Sequence, residues 1–417
     1  MANQIQIGRE MNRIVISGDF KTIDTRTLLA VIHKTINEKN FTDLELDFTK
    51  CTFADQGAML PICVHTLNLR NKRIDFDLKL PINEVMRRLF INTGWAHFIC
   101  PRHYEAPSVQ NNSKQIPAFQ FDKLEQINDH LNKVLDHLLR IIPHFKRDAF
   151  SAVEWSLNEI TDNVINHSNS LIGGIFQLSI LSRNRIQFTI SDSGVGVPTT
   201  LREAYPSIQT DMDALMESVK SGVTRNKTDF QGNGLYGTLE VCRVGGGRFI
   251  LNSGYASLKA DASVNTKFEK IPFSGTTIDA LVDFSSPELL IKALMINGRE
   301  TPPADYIEYY YEQDGLQEIN FILNNETDSF RSRLAGKPIK NKLANLIDAC
   351  HGQRIFISFE GVSVISSSFA DEVFGRLFVE LGPMSFMRTI TFVNTNSTIQ
   401  AIIDRAITLR MQESKKT

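Results

Sequence analysis

The feature that most constrains the fold of this chain is a set of three short motifs, which follow one another in its middle third. They are Asn158–His167 (NEITDNVINH), Asp192–Gly196 (DSGVG) and Gly232–Gly237 (GNGLYG). The first falls in a stretch with helical periodicity, 150–167, the second directly follows an alternating strand, 186–191, and the third opens another predicted helix. A carboxylate and an amide one helical turn apart, an aspartate on a glycine turn and a glycine-rich helix start together suit a bound nucleotide.

Glu159 and Asn163 are the polar pair of the first motif. They lie four residues apart on the predicted helix, so their side chains emerge on one face. Amide and phosphate oxygens are suitable ligands for Mg²⁺, and a nearby carboxylate can take a proton from water or from a serine hydroxyl. Taken alone, Glu159 would be a solvated helix carboxylate. The predicted buried stripe of this helix is Val153, Leu157, Ile160 and Val164.

Together the three motifs resemble the ATP-binding (Bergerat) fold of the GHKL superfamily. The nearest branch is that of the anti-sigma-factor serine kinases and the histidine kinase-like ATPases. The resemblance implies an α/β (α+β) fold, with a central two-layer α/β sandwich that binds ATP and Mg²⁺.

The resemblance also implies roles for individual residues. Asn163 would coordinate Mg²⁺, and Glu159 would be the general base. Asp192 would accept a hydrogen bond from the adenine amino group, with Gly194 and Gly196 allowing the backbone to approach the purine. The other nucleotide contacts that it implies are Gly232, Gly234 and Gly237 at the helix start, and Thr277 near the adenine.

Residues 197–230 correspond to the ATP lid, a loop that is rich in Asp, Lys and Arg here. Arg225 and Lys227 are candidates for contact with the γ-phosphate, and a solvated charge cluster is the alternative. Tyr236 interrupts the commoner G-x-G-L-G pattern and places the third glycine one residue later than in many kinases of the superfamily.

Both ends of the chain alternate strand and helix patterns, which implies parallel or mixed sheets with right-handed crossovers. In the N-terminal part, strands are predicted at 13–17, 43–48 and 73–80, and helices at 24–39, 56–69 and 81–92, the last beginning at Pro81. In the C-terminal part, strands are predicted at 319–323, 354–359 and 388–394, and helices at 337–350, 367–381 and 398–411.

The two ends can be placed in register with each other. Phe48 and Phe359 each close a strand, and five residues later stand Phe53 and Val364. The next helix then opens on Asp55-Gln56-Gly57 at one end and on Ser366-Ser367-Ser368 at the other. Two unrelated α/β modules are the alternative interpretation.

Both ends resemble STAS domains, the fold of the anti-sigma-factor antagonists, and at the C-terminus the resemblance rests on 361–372 (GVSVISSSFADE). Phosphorylatable STAS domains carry Asp-Ser-Ser-Gly at this turn and are modified on the second serine. Ser368 occupies that place, although Ser366 replaces the aspartate and Phe369 the glycine. The N-terminal turn has no hydroxyl to modify, so a structural or docking role is predicted for that module.

The predicted domains are therefore 1–110 (STAS-like, without a phosphoacceptor serine), 118–285 (ATP-binding) and 300–417 (STAS-like). Linkers are predicted at 105–117 and near 284–287. The first helix of the middle domain is either a dimer-forming helix or an amphipathic helix of the sandwich. Its apolar residues at near-heptad spacing are Leu124, Ile127, Leu131, Val134, Leu138 and Ile141.

Composition excludes several classes of protein. With 45 basic and 47 acidic residues, the chain has no electrostatic footprint for nucleic acid. It has no apolar run of about 18 residues and no signal-peptide pattern, which predicts a cytoplasmic protein. The five cysteines lack C-x-x-C spacing, which predicts buried thiols rather than a zinc site or disulfides. They are Cys51, Cys63, Cys100, Cys242 and Cys350.

The expected function is that of a Mg²⁺-dependent, ATP-binding regulatory switch. It would hydrolyse ATP, or transfer the phosphoryl group to a serine of a STAS-like module, as an ATPase or a serine/threonine kinase-like enzyme. The alternative is a non-catalytic, ATP-gated interaction module of a prokaryotic defence or signalling system. Expected partners are ATP or ADP and a protein bound through the STAS-like domains, and superfamily habit suggests a homodimer. None of His130, His137 and His144 has the sequence context of a histidine-kinase phosphoacceptor.

Overall fold

The protein is a mixed α/β chain with three sheets, seen in a computed structural model. The described residues are 4–109, 113–221, 223, 234–285, 288–293, 306–311, 318–350 and 352–414. They form two compact units, Met1–Leu131 with Trp155–Thr301, and Asn132–Glu154 with Pro302–Thr417. In the part of the chain that is described, no helix combines the length and the apolar character needed to cross a membrane.

The N-terminal sheet has the strand order β1-β2-β3-β4, in which β1 pairs antiparallel with β2 and the other pairs are parallel. Its elements are β1 (Gln6–Glu10), β2 (Arg13–Phe20), α1 (Thr25–Asn37), β3 (Asp43–Ala54), α2 (Gln56–Asn71), β4 (Asp75–Lys79), α3 (Glu84–Asn92) and α4 (Trp95–Ile99). The three predicted strands and three predicted helices are confirmed, but the prediction that Phe48 closes a strand is wrong, because β3 continues to Ala54 and includes Phe53. Strand β1 was not predicted.

The predicted start of the third helix at Pro81 is wrong. Helix α3 begins at Glu84 because the side-chain oxygen of Asn83 accepts the N–H groups of Val85 at 3.0 Å and Met86 at 3.1 Å. Asn83 thus acts as the N-cap, and the orphan donors of the first turn decide where the helix starts.

The central sheet has five strands in the order β5-β6-β7-β9-β8, and all neighbouring strands are antiparallel. The elements are β5 (Gln115–Phe121), α5 (Leu124–Ile141), α6 (Arg147–His167), β6 (Gly174–Ser182), β7 (Arg185–Asp192), α7 (Val197–Ala204), α8 (Asp211–Ser218), α9 (Gly234–Val244), β8 (Arg248–Ala260), β9 (Val264–Asp283) and α10 (Leu289–Ala293). The predicted helices α5 and α6 are confirmed, and each contributes residues to both compact units.

The apolar stripe of α5 is buried within a single chain. Ile127, Leu131, Val134 and Leu138 are at most 4% exposed, whereas Leu124 at the start of the helix is 49% exposed and Ile141 at its end is half-buried. This burial favours the amphipathic core helix over the dimer-forming helix. The stripe predicted for α6 is also confirmed, because Val153, Leu157, Ile160 and Val164 are all buried.

The C-terminal sheet has three parallel strands in the order β10-β11-β12. Its elements are α11 (Tyr306–Tyr310), β10 (Glu318–Ile322), α12 (Arg333–Ala349), β11 (Arg354–Ser358), α13 (Ser367–Ala370), α14 (Arg376–Leu381), α15 (Pro383–Thr389), β12 (Ile390–Val393) and α16 (Ser397–Ser414). The predicted helix 367–381 is interrupted by a π-helical turn, Asp371–Gly375. The predicted strand 388–394 starts late because α15, with Pro383 at its first position, runs to Thr389.

Candidate functional site

Helix α6 presents Glu159 and Asn163 towards the third motif. Both side chains are half-buried, while the stripe on the same helix packs into the core. A Cβ atom added to Gly234 would collide with Oε2 of Glu159 and would lie 3.3 Å from Nδ2 of Asn163. The fold thus brings residues more than seventy positions apart in sequence close together, and a side chain at position 234 would displace the Glu159 carboxylate from its present place.

Burial raises the pKa of Glu159, and the negative charge of Asp162 raises it further. Burial also raises the pKa of Asp162. A carboxylate in this environment holds a proton more readily than one in water, which moves it towards the range of a general base at neutral pH.

The second motif forms a turn at the end of β7, and Asp192 is its buried acid. Asp192 is 3% exposed, and the Gly194 N–H donates a hydrogen bond to its Oδ1 at 2.7 Å. Burial raises its pKa to about 7, against the opposing effect of the N–H groups of Gly194 and Thr276. The side chain is therefore a buried acceptor whose charge changes near neutral pH.

The turn is joined directly to the end of α6. The Val195 N–H donates to the carbonyl oxygen of Ser168 at 2.8 Å, and a Cβ on Gly194 would overlap that same oxygen. Gly196 has a φ of +80° and precedes α7. A backbone hydrogen bond therefore links the turn of the second motif to the residue that follows the helix of the first motif.

Strand β9 brings Gly275-Thr276-Thr277 beside the same turn. Thr277 pairs with Ser191 across the β7–β9 ladder, and their hydroxyl groups are 2.6 Å apart. Thr277 is 1% exposed, so its hydroxyl is buried next to the residue that precedes Asp192.

Part of the third motif and of the lid lies outside the described residues, namely Gly232, Arg225 and Lys227. Gly234 is the first residue of α9, and Gly237 lies buried on the same helix. Helix α9 therefore begins beside Glu159 and Asn163, and its first backbone N–H groups lie at the end of the helix nearest that pair.

The first part of the predicted lid is not a loop but two helices, α7 and α8. Thr210 caps α8 by accepting the N–H of Asp213 at 3.1 Å, and Asp211 accepts the N–H of Tyr255 on β8 at 2.7 Å. Ala214 and Leu215 are fully buried. The loop was predicted from the many charged residues of this segment, although it also contains two buried apolar residues and a helix cap.

A group of contacts that the sequence did not predict covers the polar face of the central sheet. Gln56 donates from Nε2 to the Thr189 hydroxyl at 3.0 Å and accepts from the Ser179 hydroxyl at 2.6 Å. A Cβ on Gly57 would lie 3.2 Å from Cγ of Asp279. The N-terminal turn Asp55-Gln56-Gly57 is therefore buried against strands β6, β7 and β9.

Asp55 and Asp279 are close carboxyl groups within this contact. Burial, followed by the charge of Asp279, raises the pKa of Asp55 to about 6. Asp279 is fully buried and accepts hydrogen bonds from Thr189 at 2.6 Å and Gln187 at 2.7 Å. Asp55 is also the N-cap of α2, because its Oδ1 accepts the Ala58 N–H at 2.8 Å.

The corresponding turn at the C-terminus has the same local structure in a different environment. Ser366 is the N-cap of α13 and accepts the Phe369 N–H at 3.1 Å. Ser367 and Ser368 are exposed, as is Val364, which is 55% exposed. Ser368 is therefore a hydroxyl on the surface of its unit.

Comparison with known protein families bears on this C-terminal part. Residues 335–400, from within α12 to the start of α16, match the family model described as a STAS-like domain of unknown function (DUF4325). No curated protein matches the chain. The matched segment contains β11, β12 and the exposed serine turn. The C-terminal part of this protein is thus a STAS-like domain.

Proposed function

We propose that residues 118–285 form a GHKL-type domain that binds ATP with Mg²⁺, and that the protein is a nucleotide-dependent regulatory switch. The contact of Gly234 with both Glu159 and Asn163 is the observation that carries this proposal. It unites a helix carboxylate, a helix amide and a glycine-rich helix start. Ser168, which follows this helix, accepts a backbone hydrogen bond from Val195 in the turn that holds Asp192.

The residues of this site match the chemical groups of an adenine nucleotide. Asp192 supplies a buried acceptor for the exocyclic amino group of adenine. The N–H groups at the start of α9 supply donors for phosphate oxygens. Asn163 would hold Mg²⁺ through its amide oxygen, and the bound ion would neutralise phosphate charge.

Glu159 is the residue that we assign to the chemical step. Its raised pKa and its place beside Gly234 suit the removal of a proton from a nucleophile. With water as nucleophile, a new bond forms from the water oxygen to the γ-phosphorus, the bond to the β–γ bridging oxygen breaks, and ADP leaves. With a serine hydroxyl, the new bond forms from the serine oxygen to the γ-phosphorus, the bond to the β–γ bridging oxygen breaks, ADP leaves, and the phosphoryl group remains on the serine.

Ser368 is the serine that we propose as acceptor, in the same chain or in a neighbouring copy. It is exposed in the first turn of α13 within the STAS-like domain. The N-terminal turn offers no comparable group, since Gln56 and Gly57 are buried against the central sheet. The N-terminal module therefore has a structural role, and the C-terminal one reports the nucleotide state to a protein partner.

Incubation of the purified protein with γ-labelled ATP tests the reaction. Label on Ser368 that disappears in Ser368→Ala, and persists in Ser367→Ala, supports the kinase; free labelled phosphate alone supports the ATPase. Glu159→Gln is expected to abolish either reaction and to leave nucleotide binding intact. Bound ATP that is never turned over by the wild-type protein would instead support a non-catalytic, ATP-gated interaction module.

A further inference from the structure

Three side chains with different donor atoms converge beside the N-terminal sheet, away from the site described above. Asp77 lies on β4, Cys100 directly follows α4, and His103 stands in the next turn. Their ligand atoms all lie within 4.8 Å of one another. Oδ1 of Asp77 is 3.8 Å from the Cys100 sulfur and 4.0 Å from Nδ1 of His103.

These separations are slightly longer than those of atoms that share one small cation. Zinc bonds of about 2.0–2.3 Å in a tetrahedral arrangement place neighbouring ligand atoms somewhat less than 4 Å apart. A modest shortening of these separations would bring the carboxylate oxygen, the sulfur and the ring nitrogen onto one ion.

A tight turn holds two of the three side chains close together. In Cys100-Pro101-Arg102-His103 the N–H groups of His103 and Tyr104 approach the Cys100 carbonyl at 3.2 Å. Cys100 and His103 have C-x-x-H spacing, a signal that the sequence offers beside the absent C-x-x-C pattern.

Asp77 is the shared partner of the side chains in this cluster. Its Oδ1 accepts from the Cys100 thiol at 3.8 Å and lies 4.0 Å from Nδ1 of His103. Arg102 approaches Asp77 at 3.5 Å and Asp75 at 3.9 Å, and these three side chains are more than half exposed, so such surface ion pairs contribute little to stability.

We propose that Asp77, Cys100 and His103 bind a zinc ion, with water in the fourth position. A donor set of sulfur, nitrogen and oxygen suits zinc, whereas Mg²⁺ and Ca²⁺ prefer oxygen ligands alone. The site is therefore separate from Asn163 in both place and chemistry, and it stands whether or not the central domain binds ATP.

Cobalt substitution tests the site directly. The chelator-treated, reduced protein is titrated with Co²⁺ without nucleotide, and a thiolate-to-cobalt charge-transfer band in the near ultraviolet is recorded. We expect one equivalent of Co²⁺ per chain, displaced by Zn²⁺. Cys100→Ser should remove the band. Loss of a second-shell partner lowers metal affinity about 10–100-fold, so His103→Gln should weaken binding at least as much.

The controls separate metal binding from misfolding. Cys51→Ser keeps a donor for the Phe53 carbonyl, which the Cys51 sulfur approaches at 3.1 Å, and should retain the full cobalt band. His103 is 62% exposed, so His103→Gln should leave the circular dichroism spectrum unchanged. A wild-type protein without the band, a band that persists in Cys100→Ser, or equal affinity in His103→Gln would each overturn the proposal.

Discussion

At the scale of single residues, the proposed site depends most on one buried acid, Asp192. A carboxyl group that is 3% exposed is costly unless its oxygens are hydrogen-bonded. The N–H groups of Gly194 and Thr276 meet part of that requirement. Adenine, whose amino group is a donor, would complete the set of partners and favour the charged form.

This dependence leads to a prediction about pH. Burial raises the pKa of Asp192 to about 7, so below that pH the group is largely protonated before a nucleotide binds. When a ligand that donates to the carboxylate binds, the Asp192 carboxyl group must lose this proton. The affinity for MgADP should therefore rise as the pH increases from 6 to 8, as linkage requires. Calorimetric titrations across this range measure the effect.

Asp192→Asn supplies the matched control, since position 192 then has no titrating proton. Protonation of the ligand affects binding to both proteins equally. Loss of a hydrogen bond to a charged group costs about 1.5–3 kcal/mol, or about 10–100-fold in affinity. An affinity for MgADP that has the same pH dependence in both proteins would contradict the assigned role of Asp192.

At the scale of secondary-structure elements, the first residues of α2 and α13 show what the alignment of the two chain ends predicts and what it does not predict. Asp55 and Ser366 each cap the helix that follows a strand, as the alignment of the two chain ends predicts. The environment of the next residue differs, because Gln56 is buried and Ser367 is exposed. Local sequence determines the cap, whereas burial depends on a contact between distant segments.

The central strands illustrate the same limit. Gln177, Ser179 and Thr189 alternate with apolar residues, a pattern typical of a sheet with one face in water. All three are buried, because Gln56 binds Ser179 and Thr189 while Trp95 donates to Gln177 at 2.7 Å. No periodicity within β6 or β7 could reveal that another module covers their polar face.

Replacement of Gln56 by alanine tests this contact. The change removes the Gln56 hydrogen bonds to the hydroxyl groups of Ser179 and Thr189, which keep Gln115 and Asp279 as partners. Each lost hydrogen bond costs about 0.5–1.5 kcal/mol. We expect a lower urea midpoint in tryptophan fluorescence, because Trp95 and Trp155 both lie in the first compact unit. Gln6→Ala, the same change at an exposed position, should have little effect. Equal midpoints for the two variants would show that the contact contributes nothing.

Helix α12 contributes Lys342 to a cluster of charged side chains that lies within the second compact unit. Lys342 is 1% exposed and binds Asp136, as well as Glu326 at 2.6 Å. Arg140 binds the same two acids at 2.6 Å and 2.8 Å. Nearby, Asn345 donates to the carbonyls of Leu139 and Ile142 and thereby caps the end of α5. These contacts join α5 to the STAS-like domain.

Removal of one charge from this cluster should be costly. Lys342→Ala leaves two acids that share only Arg140, and breaking a buried ion pair costs about 3–5 kcal/mol. We expect the low end of this range, about 3 kcal/mol, because Arg140 remains. Hydrogen exchange of the α12 and β10 amides, followed by mass spectrometry, should become faster. Lys337→Ala, at an exposed position of the same helix, serves as control, and protection that is equally high in both variants would contradict the argument.

At the scale of the whole molecule, the sequence predicted the alternation of elements better than their grouping. It treated 1–110 and 118–285 as separate domains. In the structure, one hydrophobic cluster extends from the N-terminal helices to Ile172, Ile175 and Phe273 of the central region. Residues 132–154 of the central region belong instead with the C-terminal unit. Such groupings depend on contacts between segments far apart in sequence.

The candidate site differs from these groupings, because its residues could be named from short local patterns in the sequence. Each of its motifs has its own local geometry: a one-turn spacing for Glu159 and Asn163, a turn after a strand for Asp192, and a helix start for Gly234. Their convergence was expected from resemblance alone. The collision that a Cβ on Gly234 would make with Glu159 is a contact that no local pattern contains.

Calorimetric titration with ATP, with and without Mg²⁺, tests the central claim most directly. The proposed function predicts one saturable site per chain, stronger with Mg²⁺, weakened by Asp192→Asn in both conditions, and made insensitive to Mg²⁺ by Asn163→Ala. A folded wild-type protein that shows no saturable binding of ATP, or an Asp192→Asn variant that binds as tightly as the wild type, would contradict it.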